Sequence, residues 1–126
     1  MVIKEELRYT KEHEWVKLEK GTATMGITDY AQGELGDIVF VEIETVGSHL
    51  EKGNTFGTIE AVKTVSDLFI PVSGKVLELN SKINETPEVI NKDPYGAGWL
   101  ISMEVDNPAQ LNELMDATAY AAMINA

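Results

Sequence analysis

Ile59-Glu60-Ala61-Val62-Lys63-Thr64-Val65-Ser66-Asp67 sets two arms rich in β-branched residues around a single lysine. Such arms predict an antiparallel hairpin with Lys63 at or beside its tip. The tip lacks the Asn-Gly or Asp-Gly pair of a tight hairpin, so the arms and not turn propensity carry this reading. An ordinary solvated surface lysine would look the same. At a tip, however, a lysine is also open to a modifying enzyme without any unfolding.

Working outward, Ile38 to Glu44, Phe56 to Ala61, Thr64 to Ile70 and Lys75 to Asn80 read as short strands. Thr45-Val46-Gly47 and Pro71-Val72-Ser73-Gly74 punctuate them, so residues 38–80 form a strand-rich core region. Before it, Tyr9 to Thr24 reads as an opening hairpin that turns at Lys20-Gly21. A short helix follows, capped by Thr28 or Asp29 and closed by Gly36 in the left-handed conformation. Within it Ile27, Ala31 and Leu35 recur as one apolar stripe, which faces the core or lines a surface groove. Ser81 to Trp99 is loop-rich, and Trp99 to Val105 reads as a last strand. Asn107-Pro108 and Asp116 then open two helices over about 107–124. With no helix of crossover length between strands, the expected fold is mainly β. It is a flattened barrel or sandwich of short strands with a short internal helix and a C-terminal helical tail, in one domain spanning 1–126.

Composition removes several functional classes. The 126 residues hold 10 Lys and Arg against 21 Asp and Glu, a formal charge of −11. That excess speaks against nucleic acid and against anionic membrane surfaces, both of which need clustered cations. Without a cysteine there is no disulfide scaffold, thiolate metal site or cysteine nucleophile. His13 and His49 stand apart, so no metal site is expected, and no Gly-rich phosphate loop or G-x-S-x-G elbow is present. No apolar run approaches the roughly 18–20 residues of a membrane span. The start, Met1-Val2-Ile3-Lys4-Glu5-Glu6, is acidic too early for a transit peptide and lacks a secretory core, so the cytoplasm is expected. A mature organellar chain freed of its presequence would read alike. No catalytic set is evident, and any reactive group would have to be borrowed.

Six stretches in order supply a more specific signal. They are His13-Glu14-Trp15-Val16, Gly26 to Ala31, Leu35 to Val39, Phe56 to Gly74, Asn91 to Trp99, and the helical end from Leu114-Met115-Asp116. Together they cover about Tyr9 to Tyr120, and in them the chain resembles the H-protein family of the glycine cleavage system, lipoyl carriers related to the biotinyl and lipoyl domains. Lys63 would be the attachment site. Gly47, Glu60 and Gly74 stand sixteen residues before it, three before it and eleven after it, as the lipoyl pattern asks. Glu60 resembles the acidic residue read by the lipoate-attaching enzyme, while the two glycines fit turn conformations closed to residues with a Cβ. Val62 and Thr64 flank the lysine where biotinyl domains have methionines and the lipoyl domains of 2-oxo acid dehydrogenases have Asp and Ala.

The resemblance implies a shuttle and no catalysis by the chain itself. Lipoic acid in amide linkage to Lys63 would accept an aminomethyl group from a pyridoxal-phosphate glycine decarboxylase. A tetrahydrofolate-dependent aminomethyltransferase would take it over, and dihydrolipoyl dehydrogenase would reoxidise the arm. It further implies that the loaded arm folds into a cleft where Glu14, assisted by Asp67, binds the cationic amine. Ile27, Ala31 and Leu35 would wall the arm's methylenes. Two solvated acids are the plain alternative for Glu14 and Asp67. The chain is expected to act as a monomer. The competing readings are a related lipoyl carrier serving lipoate relay or sulfur-compound oxidation, and a binding module that has lost its modification.

Overall fold

The computed structural model describes all 126 residues. Its strands are β1 (Arg8–Tyr9), β2 (Glu14–Glu19), β3 (Thr22–Ile27), β4 (Ile38–Glu42), β5 (His49–Leu50), β6 (Thr55–Ala61), β7 (Val65–Phe69), β8 (Gly74–Leu79) and β9 (Ile101–Val105). The helices are α1 (Asp29–Leu35), α2 (Lys82–Glu85), α3 (Val89–Lys92) and α4 (Ala117–Met123), with a 3-10 helix at Pro108–Glu113. A six-stranded sheet, β1-β2-β3-β9-β8-β5, faces a three-stranded sheet, β4-β6-β7, in a flattened sandwich. Every pairing is antiparallel.

Local chemistry explains the two hairpins that matter. Lys20 and Gly21 sit at φ +52° and +81° between the paired Glu19 and Thr22. Positive φ at both central residues matches the right-handed twist of the flanking strands. The β6–β7 tip differs: Glu60 pairs with Val65, Ala61 N–H donates to Thr64 O at 2.8 Å, and no residue there has positive φ. Such a turn needs neither Gly nor Asn, which is why its sequence carries no turn signal.

Apolar side chains from both sheets merge into one core. Val41, Ile59 and Leu68 come from the smaller sheet, and Val16, Met25, Val76 and Met103 from the larger. A second cluster of Leu7, Tyr9, Trp15 and Tyr120 seals the flank. In it the rings of Tyr9 and Tyr120 stack at 4.6 Å and dock α4 against β1.

Several expectations change. Ile27 belongs to β3, opposite Glu14, and not to the helix, because α1 begins only after Thr28, whose hydroxyl accepts the Ala31 N–H at 3.1 Å. Gly36 does close α1, but at φ 80°, ψ −157°, a region open to glycine alone and not the left-handed helical one. The loop-rich stretch contains α2 and α3, anchored by the buried Ile83 and Ile90. The strand ends shift: Ile43, Glu44, Thr64, Ile70, Asn80, Trp99 and Leu100 lie outside strands, Thr55 and Gly74 join β6 and β8, and β5 is an addition. The tail opens as a 3-10 helix under its Asn107 cap. It cannot continue as an α-helix because Tyr9 and Met115 exchange main-chain bonds at 2.8 and 2.9 Å, pulling the chain into an extended bridge. Asp116 then caps α4.

Candidate functional site

Lys63 stands exposed at the hairpin tip, and its surroundings hold the tip in place. Val62 N–H donates to Asp37 O at 3.0 Å. On either side of Asp37, Asn91 Nδ2 donates to Gly36 O at 2.9 Å and Asn91 Oδ1 accepts the Ile38 N–H at 3.0 Å. The lysine stem passes over Gly36: Cε lies 3.5 Å, and Nζ 3.9 Å, from where a Cβ would stand. The amine therefore rests at the C-terminal end of α1.

The other face of α1 lines a cleft of about 150 Å³. Ile27, Ala31 and Leu35 line it from β3 and α1, Ile59, Ser66, Asp67 and Leu68 from the small sheet, Glu14 from the start of β2 and His13 from the turn before it. The structure thus brings together all five residues expected at a cleft, although Ile27 arrives from a strand. A larger groove of about 320 Å³ also touches Glu14 and holds the 2.7 Å Lys52–Glu113 ion pair, but no residue of α1 or of the lysine's seat lines it.

Glu14 is no solvated acid. Only 2% of its surface is exposed. One carboxyl oxygen accepts the Phe69 N–H at 2.8 Å and the other the Thr10 hydroxyl at 3.2 Å. No cation faces it, so burial dominates and pushes its pKa up to about 8. Asp67 is exposed, and its register partner Thr58 pairs in turn with Glu42, whereas Ser66 pairs with Ile59 of the cleft. Main-chain groups alternate in direction along an antiparallel edge strand. The Asp67 N–H and C=O therefore point off the free edge of β7, on the same side as the Phe69 N–H that Glu14 accepts.

Glu60 lies outside the cleft, on the outer surface of the small sheet. Gly47 has φ +89°, the turn conformation expected of it. Gly74 corrects the expectation: it sits in β8 with ordinary φ, and a Cβ there would stand 2.0 Å from Glu104 O. Close approach to β9, and not turn geometry, requires the glycine. Two residues of the site had no assigned role in the sequence. His13 adopts φ +68° and places Nδ1 2.9 Å from Tyr120 Oη, while Tyr120 Oη lies 2.7 Å from Thr28 Oγ1. Burial lowers the His13 pKa, which favours the neutral imidazole beside Glu14. Asn91 is the other, and its place in the Asn91–Trp99 stretch was the one signal available.

An exposed lysine on a braced hairpin tip, next to a cleft with an apolar wall and a buried carboxyl, is the layout that a carrier of a covalently attached arm requires. The family model described as "Glycine cleavage H-protein" matches residues 7–126. The chain is 59% identical over 120 residues to the glycine cleavage system H protein of Bacteroides fragilis, covering 95% of each chain. It is 54% identical over 124 residues to that of Staphylococcus saprophyticus, covering 98% of each. The crystal structure of a glycine cleavage system H protein from Mycobacterium marinum superposes with a TM-score of 0.91 at 38% identity, over 98% of this chain and 100% of that one. The chain belongs to the glycine cleavage H-protein family, the lipoyl carriers of the glycine cleavage system. No helix is long and apolar enough to cross a membrane.

Proposed function

We propose that Lys63 carries lipoate in amide linkage and that the chain, one carrier domain over 1–126, shuttles an aminomethyl unit without catalysing its transfer. Its partners are the glycine decarboxylase, the aminomethyltransferase, dihydrolipoyl dehydrogenase and the lipoate-attaching enzyme. The observation that carries this reading is the seating of the Lys63 stem over Gly36, at the end of the helix whose Ala31 and Leu35 wall the cleft. The residues fit the group: an exposed primary amine at the cleft's margin, an apolar wall for methylenes, and a buried acid among the lining residues. When bound, the lipoyl disulfide supplies the reducible sulfur pair that a cysteine-free chain lacks.

Within the cleft Ile27, Ala31 and Leu35 exclude water from the cargo. Glu14 meets the cargo's ammonium group, which adds to the two hydrogen bonds from Phe69 and Thr10 the countercharge that the buried carboxylate lacks. The Asp67 carbonyl, on the free edge of β7, offers a neutral acceptor beside it. A hairpin tip braced through Asp37 and Asn91 keeps the lysine accessible to each partner while the cleft shelters what it carries.

Intact mass and peptide mapping after incubation with lipoate, ATP and a lipoate ligase test the attachment, and one lipoyl group on Lys63 is the expected result. Loading with glycine and the decarboxylase then tests the cleft. The cargo of Glu14→Ala is expected to break down several-fold faster than that of the wild type, and equal rates would remove Glu14 from the account.

A further inference from the structure

Thr28, the cap of α1, has none of its surface exposed, and its hydroxyl oxygen already accepts the Ala31 N–H at 3.1 Å. Its own proton has one acceptor in reach, Tyr120 Oη at 2.7 Å. Tyr120, itself fully buried, has two partners: Thr28 Oγ1 and, at 2.9 Å, His13 Nδ1. A buried hydroxyl proton left without an acceptor is costly, and water cannot reach this one. The order of donation follows. Thr28 gives its proton to Tyr120, Tyr120 gives its own to His13, and Nδ1 can only accept. The neutral imidazole therefore carries its hydrogen on Nε2. Run in reverse, with Nδ1–H donating to Tyr120 and Tyr120 to Thr28, the relay would strand the Thr28 proton.

The imidazole is held on every side. The His13 N–H donates to Thr10 O at 3.1 Å, and its carbonyl accepts the Thr28 N–H at 3.0 Å. Its ring lies 4.8 Å from that of Tyr30 on α1 and meets the Tyr120 ring edge-on at 5.8 Å. Charge at this point matters because of what the cleft must hold. His13 is the one basic side chain among the lining residues, where Glu12, Glu14, Glu34 and Asp67 stand with it. Four acids around an imidazole favour its protonated form. An imidazolium there would take the place of the cargo's ammonium group beside Glu14 and repel it. Protonating Nδ1 would also reverse the relay and strand the Thr28 proton, so the order of the hydroxyls opposes what the acids favour.

We propose that Tyr120, from the C-terminal helix, is a positioning residue for the cleft. Its hydroxyl orders the Thr28–Tyr120–His13 relay so that His13 stays the uncharged Nε2–H tautomer, and the one cation the cleft admits is the cargo. Tyr120 does not line the cleft and acts through His13. Burial of the imidazole works in the same direction. The helix α4 is thus part of the cleft's machinery, joined to it by one hydroxyl. The inference rests on the reading that the cleft shelters an aminomethyl-loaded arm, and adds what keeps that cleft free of a competing cation.

Two measurements test it. Nitrogen NMR of the unmodified full chain is expected to show His13 as the Nε2–H tautomer, with Nδ1 unprotonated. Tyr120→Phe keeps the ring that stacks on Tyr9 and removes the hydroxyl. Its His13 is expected to populate both tautomers and to titrate at higher pH, while Thr28→Ser, which keeps a hydroxyl, behaves as the wild type. The second measurement is breakdown of the aminomethyl-loaded arm across pH 6.5 to 8.5. The Tyr120→Phe chain is expected to lose its cargo about threefold faster than the wild type at pH 6.5, and at the wild-type rate at pH 8.5, where the imidazole is neutral in both. A ratio that does not change with pH would mean that Tyr120 serves the fold alone, and would overturn the proposal. So would a wild-type His13 with its proton on Nδ1, a result that needs no variant. Glu14→Ala holding its cargo as long as the wild type would overturn the sheltering reading, whereas the tautomer, read on the unmodified chain, overturns only the relay.

Discussion

Glu14 shows how one side chain sets function against stability. Its two hydrogen bonds favour the carboxylate, yet burial outweighs them and lifts the pKa from 4.5 to about 8. Between those values the folded chain keeps a proton that the unfolded chain has released, so stability falls as pH rises through that window and levels off above it. At about 1.4 kcal/mol per unit the full effect is on the order of 5 kcal/mol. Glu14→Gln keeps the shape and an acceptor for the Phe69 N–H without titrating. Urea unfolding at pH 5.5 and 8.5 is therefore expected to show the variant gaining a few kcal/mol on the wild type at the higher pH. The same proton governs the cargo: below pH 8 Glu14 must release it to pair with an ammonium group. Protection of the loaded arm, measured as the ratio of breakdown rates in Glu14→Gln and the wild type, is expected to grow as pH rises from 6.5 to 8. A constant ratio would mean that Glu14 contributes shape and no charge.

At the scale of elements, the hairpin that carries Lys63 depends on a corner supplied by another part of the chain. Asn91 of α3 bonds Gly36 O, Ile38 N–H and the Gln32 side chain, and so holds the Asp37 carbonyl where Val62 N–H meets it. Asn91→Ala leaves these partly buried groups unpaired and is expected to cost about 2–3 kcal/mol. It should also raise the amide exchange rate of Val62, whereas loss of stability without faster exchange at the tip would show that Asn91 braces only α1. The two motif glycines separate in the same way. Gly74→Ala drives a Cβ into the β9 backbone at Glu104 and is expected to cost more than 3 kcal/mol or abolish folding, while Gly47→Ala meets open space and costs only the strain of positive φ, about 1 kcal/mol. Thermal unfolding of the pair decides it. Lys20-Gly21, the Thr28 cap and the Lys63 arms were legible because each is a local preference. The bulge in β4, which leaves Val39 and Phe40 exposed between the buried Ile38 and Val41, was not, since all four are apolar and only pairing with β6 chooses which face out. The placement of Ile27 in β3 was hidden because its four-residue spacing to Ala31 suits a helix, and only pairing with Glu14 overrides it. The 3-10 turn of the tail depends on the Tyr9–Met115 bridge, a contact far apart in sequence.

Across the whole molecule, the charge of −11 is nearly all unspent within the fold. The four ion pairs, two of them made by His49, lie on exposed side chains and contribute little to stability. Apart from the buried Glu14, the carboxylates therefore face solvent. A carrier must meet several enzymes in turn and leave each quickly, which favours association steered by long-range charge over large apolar interfaces. Such steering acts on encounter and weakens as the screening length falls from about 10 Å at 0.1 M salt to about 3 Å at 1 M. For the loaded chain reacting with the aminomethyltransferase, kcat/KM is expected to drop about tenfold between 0.05 and 0.5 M NaCl, with kcat nearly unchanged. The exposed acids beside the lysine's seat and tip, Asp37 and Glu60, lie where an enzyme approaching the arm is guided, so neutralising them as Asn and Gln should flatten the salt dependence more than neutralising Glu104 or Asp106 elsewhere. If both sets flatten it equally, net charge and not its placement steers the encounter; if neither does, the acidity serves the chain's own solvation and recognition resides in contacts at the tip.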